Sequence, residues 1–149
     1  MDIYIVDTNL LYSSILKPNN RIASFILEAD RYDVRLFAPK YLEVEIARYK
    51  PSIQQASGYS DQEFEVVKNQ LFSSITFIDD DIIPFEEWVK ALRTVRDIDV
   101  NDVNFVALNN YLDKLLWTGH KKLYEGLRQK GYPNVVMFDF IKEKYGLVR

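Results

Sequence analysis

Four acidic residues that are far apart in the sequence follow or begin predicted elements of regular structure, in positions where their carboxylates could meet. They are Asp7, Glu45, Asp99 and Asp102. Carboxylates gathered at close range repel one another strongly, so such a cluster is stable when a hard cation lies between them. A divalent cation held in this way can activate a water molecule and stabilise the charge that develops on a phosphodiester. Metal-dependent hydrolysis is therefore the chemistry that these residue types suggest.

The elements around the four acids decide whether they can converge. Asp7 follows the apolar run 3–6, which suits a strand buried on both faces and places Asp7 at the carboxyl edge of a sheet, where open α/β folds bind ligands. Glu45 lies near the start of the helix predicted after the second strand, so we expect it at the same edge. Asp99 and Asp102 share one side of a helix's first turn. They join the others only if that helix also directs its first turn at this edge.

Short apolar strands alternate with helices along the chain, which predicts a parallel sheet in an α/β domain. The predicted strands cover residues 3–6, 34–38, 75–78, 115–117 and 134–138. The predicted helices cover residues 10–16, 21–30, 40–50, 61–73, 85–96, 100–113, 121–130 and 139–145. We predict a single domain over residues 1–149, with a central parallel sheet of four to five strands flanked by helices.

Three local expectations accompany this assignment. Pro51 is expected to end the third helix, which buries Leu42, Ile46 and Tyr49 and carries Glu45 on an opposite face. The acidic triplet 79–81 is expected to be a solvated turn, because no apolar element positions it.

Composition narrows the class of protein and the class of site. With 149 residues, 48% of them hydrophobic and 28% charged, the chain is expected to fold as an ordinary globular domain. The lack of cysteine excludes disulfides, thiolate zinc sites and cysteine nucleophiles, and favours a reducing, cytoplasmic setting. The single histidine, His120, excludes a His-rich site, so a metal would need oxygen ligands, which favours magnesium, manganese or calcium. We expect neither a signal peptide nor a membrane span. A net charge of -3 argues against broad electrostatic binding of nucleic acid, but not against an enzyme that cleaves it.

Each acid also has a structural explanation. Aspartates at strand ends and helix starts commonly cap helices or form turns, which applies to Asp7 and Asp99. Glu45, taken alone, is a solvated helix residue that pairs with Arg48 or Lys50. Spacing by itself leaves both explanations open.

Four stretches in order resemble the motifs of the PIN-domain family, small α/β domains that include toxin ribonucleases and RNA-processing nucleases. The stretches cover residues 5–9, 37–46, 99–108 and 116–123, so the resemblance extends over nearly the whole chain. It implies that Asp7, Glu45 and Asp102 are catalytic, metal-binding acids and that Asp99 is an accessory ligand.

The chain departs from the family pattern at His120, where the family normally has a fourth acid. An imidazole can ligate manganese but is a poorer ligand for magnesium, and a protonated imidazole would repel a cation. The substitution leaves three possibilities open: a weakened second metal site, a domain that has lost cleavage, or a surface helix cap. Asp139 could compensate in part, although a capping role is simpler.

Further residues enter the site through the resemblance alone. Thr8 and Asn9 would form hydrogen bonds beside the metal, Thr8 orienting a carboxylate or water, and His120 would lie in the same outer layer. Arg48 and Lys121 flank the predicted site and could hold RNA phosphates, or could simply be solvated.

The sequence therefore predicts an endoribonuclease that depends on Mg²⁺ or Mn²⁺. The resemblance further implies the toxin of a toxin–antitoxin pair, with RNA as substrate, a small antitoxin protein as partner and a possible homodimer. The alternative is a catalytically weakened PIN-like module, with His120 in place of the fourth acid, that binds RNA or a protein partner. A phosphoacceptor receiver domain also has acids at one sheet edge, but it needs a paired acid after the first strand, where this chain has Thr8-Asn9 after Asp7.

Overall fold

The sheet consists of five parallel strands whose spatial order differs from their order in the sequence. The computed structural model describes residues 1–147, and its strands are β1 (Asp2–Val6), β2 (Val34–Pro39), β3 (Ile75–Ile78), β4 (Leu115–Trp117) and β5 (Val135–Val136). They lie in the order β3-β2-β1-β4-β5, which makes β1 the central strand. The chain adds β2 and β3 on one side of β1 and β4 and β5 on the other. Ligand clefts in open α/β sheets form at such a reversal, just beyond the carboxyl ends of the strands.

Eight α-helices connect and cover these strands within the described range. They are α1 (Thr8–Leu16), α2 (Arg21–Leu27), α3 (Tyr41–Ser57), α4 (Asp61–Phe72), α5 (Phe85–Val95), α6 (Val103–Leu112), α7 (Lys121–Gln129) and α8 (Phe138–Lys144). Short 3-10 turns occupy Ala29–Tyr32, Asp80–Ile82 and Val100–Asp102. The predicted single α/β domain with a parallel sheet is confirmed. Its predicted extent, residues 1–149, stays a prediction, and residues 148 and 149 lie outside the described residues.

Strand β1 is held rigidly because its neighbours cover it on both sides and both faces. Tyr4, Ile5 and Val6 are all buried, and Val6 pairs with Trp117 of β4. Burial of a side chain such as that of Ile5 or Val6 contributes roughly 1.5–3 kcal/mol to folding. The residue that follows Val6 is therefore placed on a firmly packed base.

Helix α3 does not end at Pro51, and this prediction was wrong. The helix continues to Ser57 and ends at Gly58, whose positive φ of 80° suits glycine and whose N–H donates to the Gln54 carbonyl. Pro51 removes the hydrogen bond that would reach the carbonyl of Ala47. Both Pro51 and Ala47 are exposed, so that carbonyl can bind water instead and the helix persists.

The acidic triplet is not the free solvated turn that the sequence suggested. Asp80 accepts a hydrogen bond from the backbone N–H of Tyr41 at 3.3 Å and another from the side-chain amide of Asn104 at 2.7 Å. Tyr41 begins α3 and Asn104 lies in the first turn of α6. Asp80 therefore ties together the starts of these two helices.

The remaining differences lie at element ends. Helix α1 starts at Thr8, two residues earlier than predicted, and α6 is preceded by a 3-10 turn instead of starting at residue 100. Strand β5 is only two residues long, and α8 begins at Phe138. No helix within residues 1–147 is both long enough and apolar enough to span a bilayer.

Candidate metal centre

Asp7 lies at the carboxyl end of β1, and groups from two elements hold its carboxylate. The side chain is 1% exposed and caps α1 by accepting a hydrogen bond from the Leu10 N–H at 3.1 Å. The turn after β4 supplies two more donors, the hydroxyl of Thr118 and the N–H of Gly119 at 3.4 Å. A Cβ atom at residue 119 would lie 3.0 Å from the Asn9 Oδ1 atom, so glycine allows this close approach.

Glu45 faces the same edge of the sheet from the first part of α3. It is 5% exposed, so the prediction that it lies on an open face of the helix was wrong. Its Oε1 atom accepts a hydrogen bond of 2.5 Å from the Thr8 hydroxyl. Tyr49, one turn further along, was expected to be buried with Leu42 and Ile46 but is 37% exposed. The helix is thus rotated so that Glu45 points inward.

Asp99, Asp102 and His120 form the third part of the site. Asp99 caps the 3-10 turn before α6 by accepting from the Asn101 N–H at 3.0 Å, and Asp102 ends that turn. His120 immediately precedes α7, and its Nδ1 atom lies 3.1 Å from the Asp102 Oδ2 atom. One ligand atom from each of the three residues lies within 4.8 Å of the other two, a separation that one cation can bridge.

His120 occupies the position before α7 without capping it through its ring. Its backbone N–H donates to the Thr118 hydroxyl at 2.9 Å, and this same hydroxyl donates to Asp7. Its ring is directed instead at Asp102. Thr118 therefore connects the residue after β1 with the residue that replaces the family's fourth acid.

Burial disfavours the anionic form of three of these acids. Burial raises the pKa of the Asp7 carboxyl, although the Thr118 hydroxyl and two backbone N–H groups act against the shift. Burial also raises the pKa of Glu45, against the hydrogen bond from Thr8. For Asp102, burial and then the charge of Asp7 raise the pKa to about 7, while His120 opposes the shift. Each carboxylate would be stabilised by a cation placed among them.

A cleft of about 350 Å³ opens at this edge of the sheet. Its lining residues are Thr8, Asn9, Tyr12, Glu45, Tyr49, Asp99, Asn101, Asp102 and His120. The carboxylates of three of them and the imidazole of His120 are a donor set that suits a divalent cation. Asp7 lies outside this lining and acts on Glu45 and Asp102 through its charge.

The other predicted site residues lie around the cleft or away from it. Arg48 is exposed on α3, and Lys121 is exposed at the start of α7, where with Lys122 and Lys130 it borders a neighbouring groove. The carboxylate of Asp139 is 95% exposed and pairs with Lys142 at 3.1 Å. Asp139 does not line the cleft, which argues against the partial compensation for His120 that the sequence left open.

Sequence reasoning missed several residues that the fold brings to the site. Thr118 was not singled out from the sequence, yet its hydroxyl contacts both Asp7 and the His120 backbone. Tyr12 and Asn101 line the cleft although nothing in their spacing singles them out. The pairing of β1 with β4 was the signal that could have placed Thr118 beside Asp7, because Val6 and Trp117 are register partners.

Comparisons with known proteins concern the family and the fold of this chain. The sequence model of a family described as PIN domain matches residues 5–137, a span that contains every acid of the cleft. No curated protein matches the sequence significantly. The crystal structure of PAE2754 from Pyrobaculum aerophilum is similar, with a TM-score of 0.69 at 14% identity, over 99% of this chain and 91% of that chain.

A second similar structure is VapBC2 from Rickettsia felis, solved bound to a DNA fragment from the promoter. Its TM-score is 0.64 at 14% identity, over 91% of this chain and 96% of that chain. At such identities the likeness to both structures shows a shared fold.

Proposed function

This chain belongs to the PIN-domain family, and from that premise we propose that it is a divalent-metal-dependent endoribonuclease. The observation that carries the proposal is the meeting of Asp99, Asp102 and His120 within 4.8 Å in a cleft that also contains the buried carboxylate of Glu45. Mg²⁺ or Mn²⁺, when bound there, would supply a nucleophilic water and neutralise charge on the phosphodiester.

The chain's own residues would then have distinct roles. Glu45, Asp99 and Asp102 would hold the cation, and Asp7 would add negative charge from beneath them. The hydrogen bond from Thr8 to one oxygen of Glu45 fixes the orientation of the carboxylate, and this also fixes the position of the second oxygen. Thr118 does the same for Asp7.

RNA phosphates would be held by basic side chains that adjoin the cleft lining. Arg48 on α3 and Lys121 on α7 are both exposed, and each is next in sequence to a residue of the cleft lining, Arg48 to Tyr49 and Lys121 to His120. Lys121 also borders the neighbouring groove, so a strand of RNA could pass from the cleft towards α7 with its phosphates near lysine side chains. Lys50 is less suited to this role because it pairs with Asp61 at 3.2 Å.

We further propose that the protein is the toxin of a toxin–antitoxin pair that acts in the cytoplasm. Family membership and the fold shared with VapBC2 support this context. The partner would be a small antitoxin protein that blocks the cleft, and the toxin could form a homodimer. Co-expression with a candidate antitoxin should yield a stable complex in which cleavage is suppressed.

A second function is favoured by one contact. The ring of His120 lies against Asp102, and if it holds this acid away from a cation the domain would bind RNA or protein without cleaving. A His120→Asp variant that cleaves RNA strongly beside an inert wild type would favour this module over the nuclease.

The nuclease proposal is tested with the purified full chain and a mixture of single-stranded RNAs. We expect cleavage in Mn²⁺ or Mg²⁺, loss of cleavage in EDTA, and loss in Asp102→Asn. Asp139→Asn is the matched control, since it also removes one carboxylate, but one that is exposed and does not line the cleft. Equal cleavage by Asp102→Asn and the control, or the same rate in EDTA, would contradict the proposal.

A further inference from the structure

His120 is positioned to present a nitrogen to a cation. The side chain is 26% exposed, lines the cleft, and has one ring nitrogen 3.1 Å from the Asp102 carboxylate. Histidines that ligate metals almost always donate their other ring N–H to a carboxylate, a carbonyl or water, which fixes the ring. In the tautomer that carries its proton on Nδ1, this N–H donates to Asp102 and the Nε2 lone pair is available to a ligand.

The donor set differs in chemical class from an all-oxygen site. Two carboxylates and one imidazole can converge on a single cation, because their ligand atoms lie within 4.8 Å of one another. Mg²⁺ demands oxygen ligands in near-ideal octahedral geometry and retains much of its water. Imidazole is a better ligand for first-row transition ions, whose affinity for nitrogen exceeds that of Mg²⁺.

We propose that this site binds Mn²⁺ and related first-row transition ions in preference to Mg²⁺, and that His120 sets the preference. The inference concerns the same cleft as the proposed function and rests on it for the identity of the site. It does not require RNA cleavage, since it is a statement about which ion is held and by which atom.

Two further contacts fix the backbone from which the His120 ring projects. The His120 backbone is fixed by its hydrogen bond to Thr118, and Thr118 is itself fixed on Asp7. The residue is thus tied to the end of β1 as well as to Asp102. A solvated cap residue would need neither tie.

Calorimetric titration of the metal-free protein with Mn²⁺ and with Mg²⁺ gives the first test. The ratio of the two affinities should fall by about 10-fold or more in His120→Asp, which restores an oxygen ligand, and should be unchanged in the control Asp139→Asn. An equal ratio in wild type and His120→Asp would overturn the proposal.

Pulsed EPR of the Mn²⁺-loaded protein gives the second test. Wild type should show modulation from a directly coordinated ¹⁴N nucleus, and His120→Asp should lose that modulation while still binding Mn²⁺. Loaded wild type without a nitrogen signal would refute the role of His120. Nitrogen ligation in a protein that cleaves no RNA would support the role of His120 and contradict the nuclease proposal. Mg²⁺-dependent cleavage without nitrogen ligation would support the nuclease proposal and contradict the role of His120.

Discussion

Strand β1 has an aspartate at each end, and the two carboxyl groups have opposite pKa shifts. At the amino end, the Tyr145 hydroxyl, 2.5 Å away, and then the charge of Lys144 at 3.4 Å lower the pKa of Asp2. At the carboxyl end, burial raises the pKa of Asp7, although three donors contact it. The protein therefore stabilises the negative charge of Asp2 and disfavours the negative charge of Asp7.

The difference extends to the neighbours of Asp7. Within residues 1–147, no lysine or arginine forms an ion pair with Asp7, Glu45, Asp99 or Asp102, whereas most other ion pairs of the protein involve one. Among the described residues, His120 is the one basic side chain that pairs with this group. Among the described residues, the acids at the carboxyl edge of the sheet thus have no lysine or arginine partner, whereas Asp2 at the amino edge has Lys144. A site for an external cation requires acids whose charge is left uncompensated in this way.

The strongest test of this contrast compares Asp7→Asn with Asp2→Asn. Asparagine caps a helix about as well as aspartate, so the first variant removes charge while keeping the cap on α1. We expect RNA cleavage to fall by about 100-fold or more in Asp7→Asn and to stay near wild type in Asp2→Asn. Rates on a defined RNA measure the effect, and circular dichroism confirms folding. Similar losses in both variants would remove the distinction.

Stability of the metal-free protein should depend on pH because of the acids at the carboxyl edge. The pKa of Asp102 rises from 3.8 to about 7 on folding, so the folded state binds more protons than the unfolded state in this range. The contribution of Asp102 to stability is therefore present below pH 4 and is lost as the pH rises to 7. The free energy of unfolding should fall by about 2–4 kcal/mol over this range, since one unit of pKa shift corresponds to roughly 1.4 kcal/mol. Chemical denaturation at a series of pH values measures it.

The control for that pH dependence is Asp102→Asn, which should flatten the profile. Asp7, Asp99 and Glu45 also face Asp102, together with His120, so some slope remains. Saturating Mn²⁺ should flatten the wild-type profile as well, since it stabilises the anionic form. A wild-type protein whose stability rises steadily from pH 4 to pH 7 would contradict the interpretation.

A smaller effect is expected from Asp80→Ala, which breaks the link between α3 and α6. Loss of two hydrogen bonds should lower the free energy of unfolding by about 1–3 kcal/mol. Because Glu45 lies on α3 and Asp102 directly precedes α6, Mn²⁺ affinity should also fall several-fold. Asp81→Ala, at an exposed neighbouring position, is the control. Unchanged metal affinity in Asp80→Ala would limit Asp80 to a role in stability.

The smallest effect belongs to Asp2→Asn, and its pH dependence has the opposite sign. The depressed pKa of Asp2 means that its contribution is present above pH 4 and lost as pH falls below it. The side chain is 40% exposed, so solvent screening reduces the effect to a few tenths of a kcal/mol. Thermal melts at pH 3 and pH 7 should therefore differ less for Asp2→Asn than for wild type.

The sequence was informative where local pattern and tertiary environment agree. The run 3–6 is buried as its composition predicts, and Asp7 follows it at the sheet edge. Asp99 caps its turn as expected. These features depend on strand periodicity and capping chemistry, which neighbouring residues determine.

Features that depend on packing between distant elements were not predictable in the same way. The inward rotation of Glu45, the link through Asp80 and the contact of His120 with Asp102 all require the relative placement of α3, α6 and the turn after β4. Helix α3 passes Pro51 because the affected carbonyl faces solvent, which the sequence alone does not reveal.

The contact between Asp7 and Thr118 spans 111 residues and has a consequence for synthesis of the protein. Translation produces β1 long before it produces β4 and the turn that follows β4. Until then Asp7 lacks Thr118, and Asp102 lacks His120. A nascent chain that ends after α5 therefore cannot assemble the cleft, because it still lacks Asp99, Asp102 and His120.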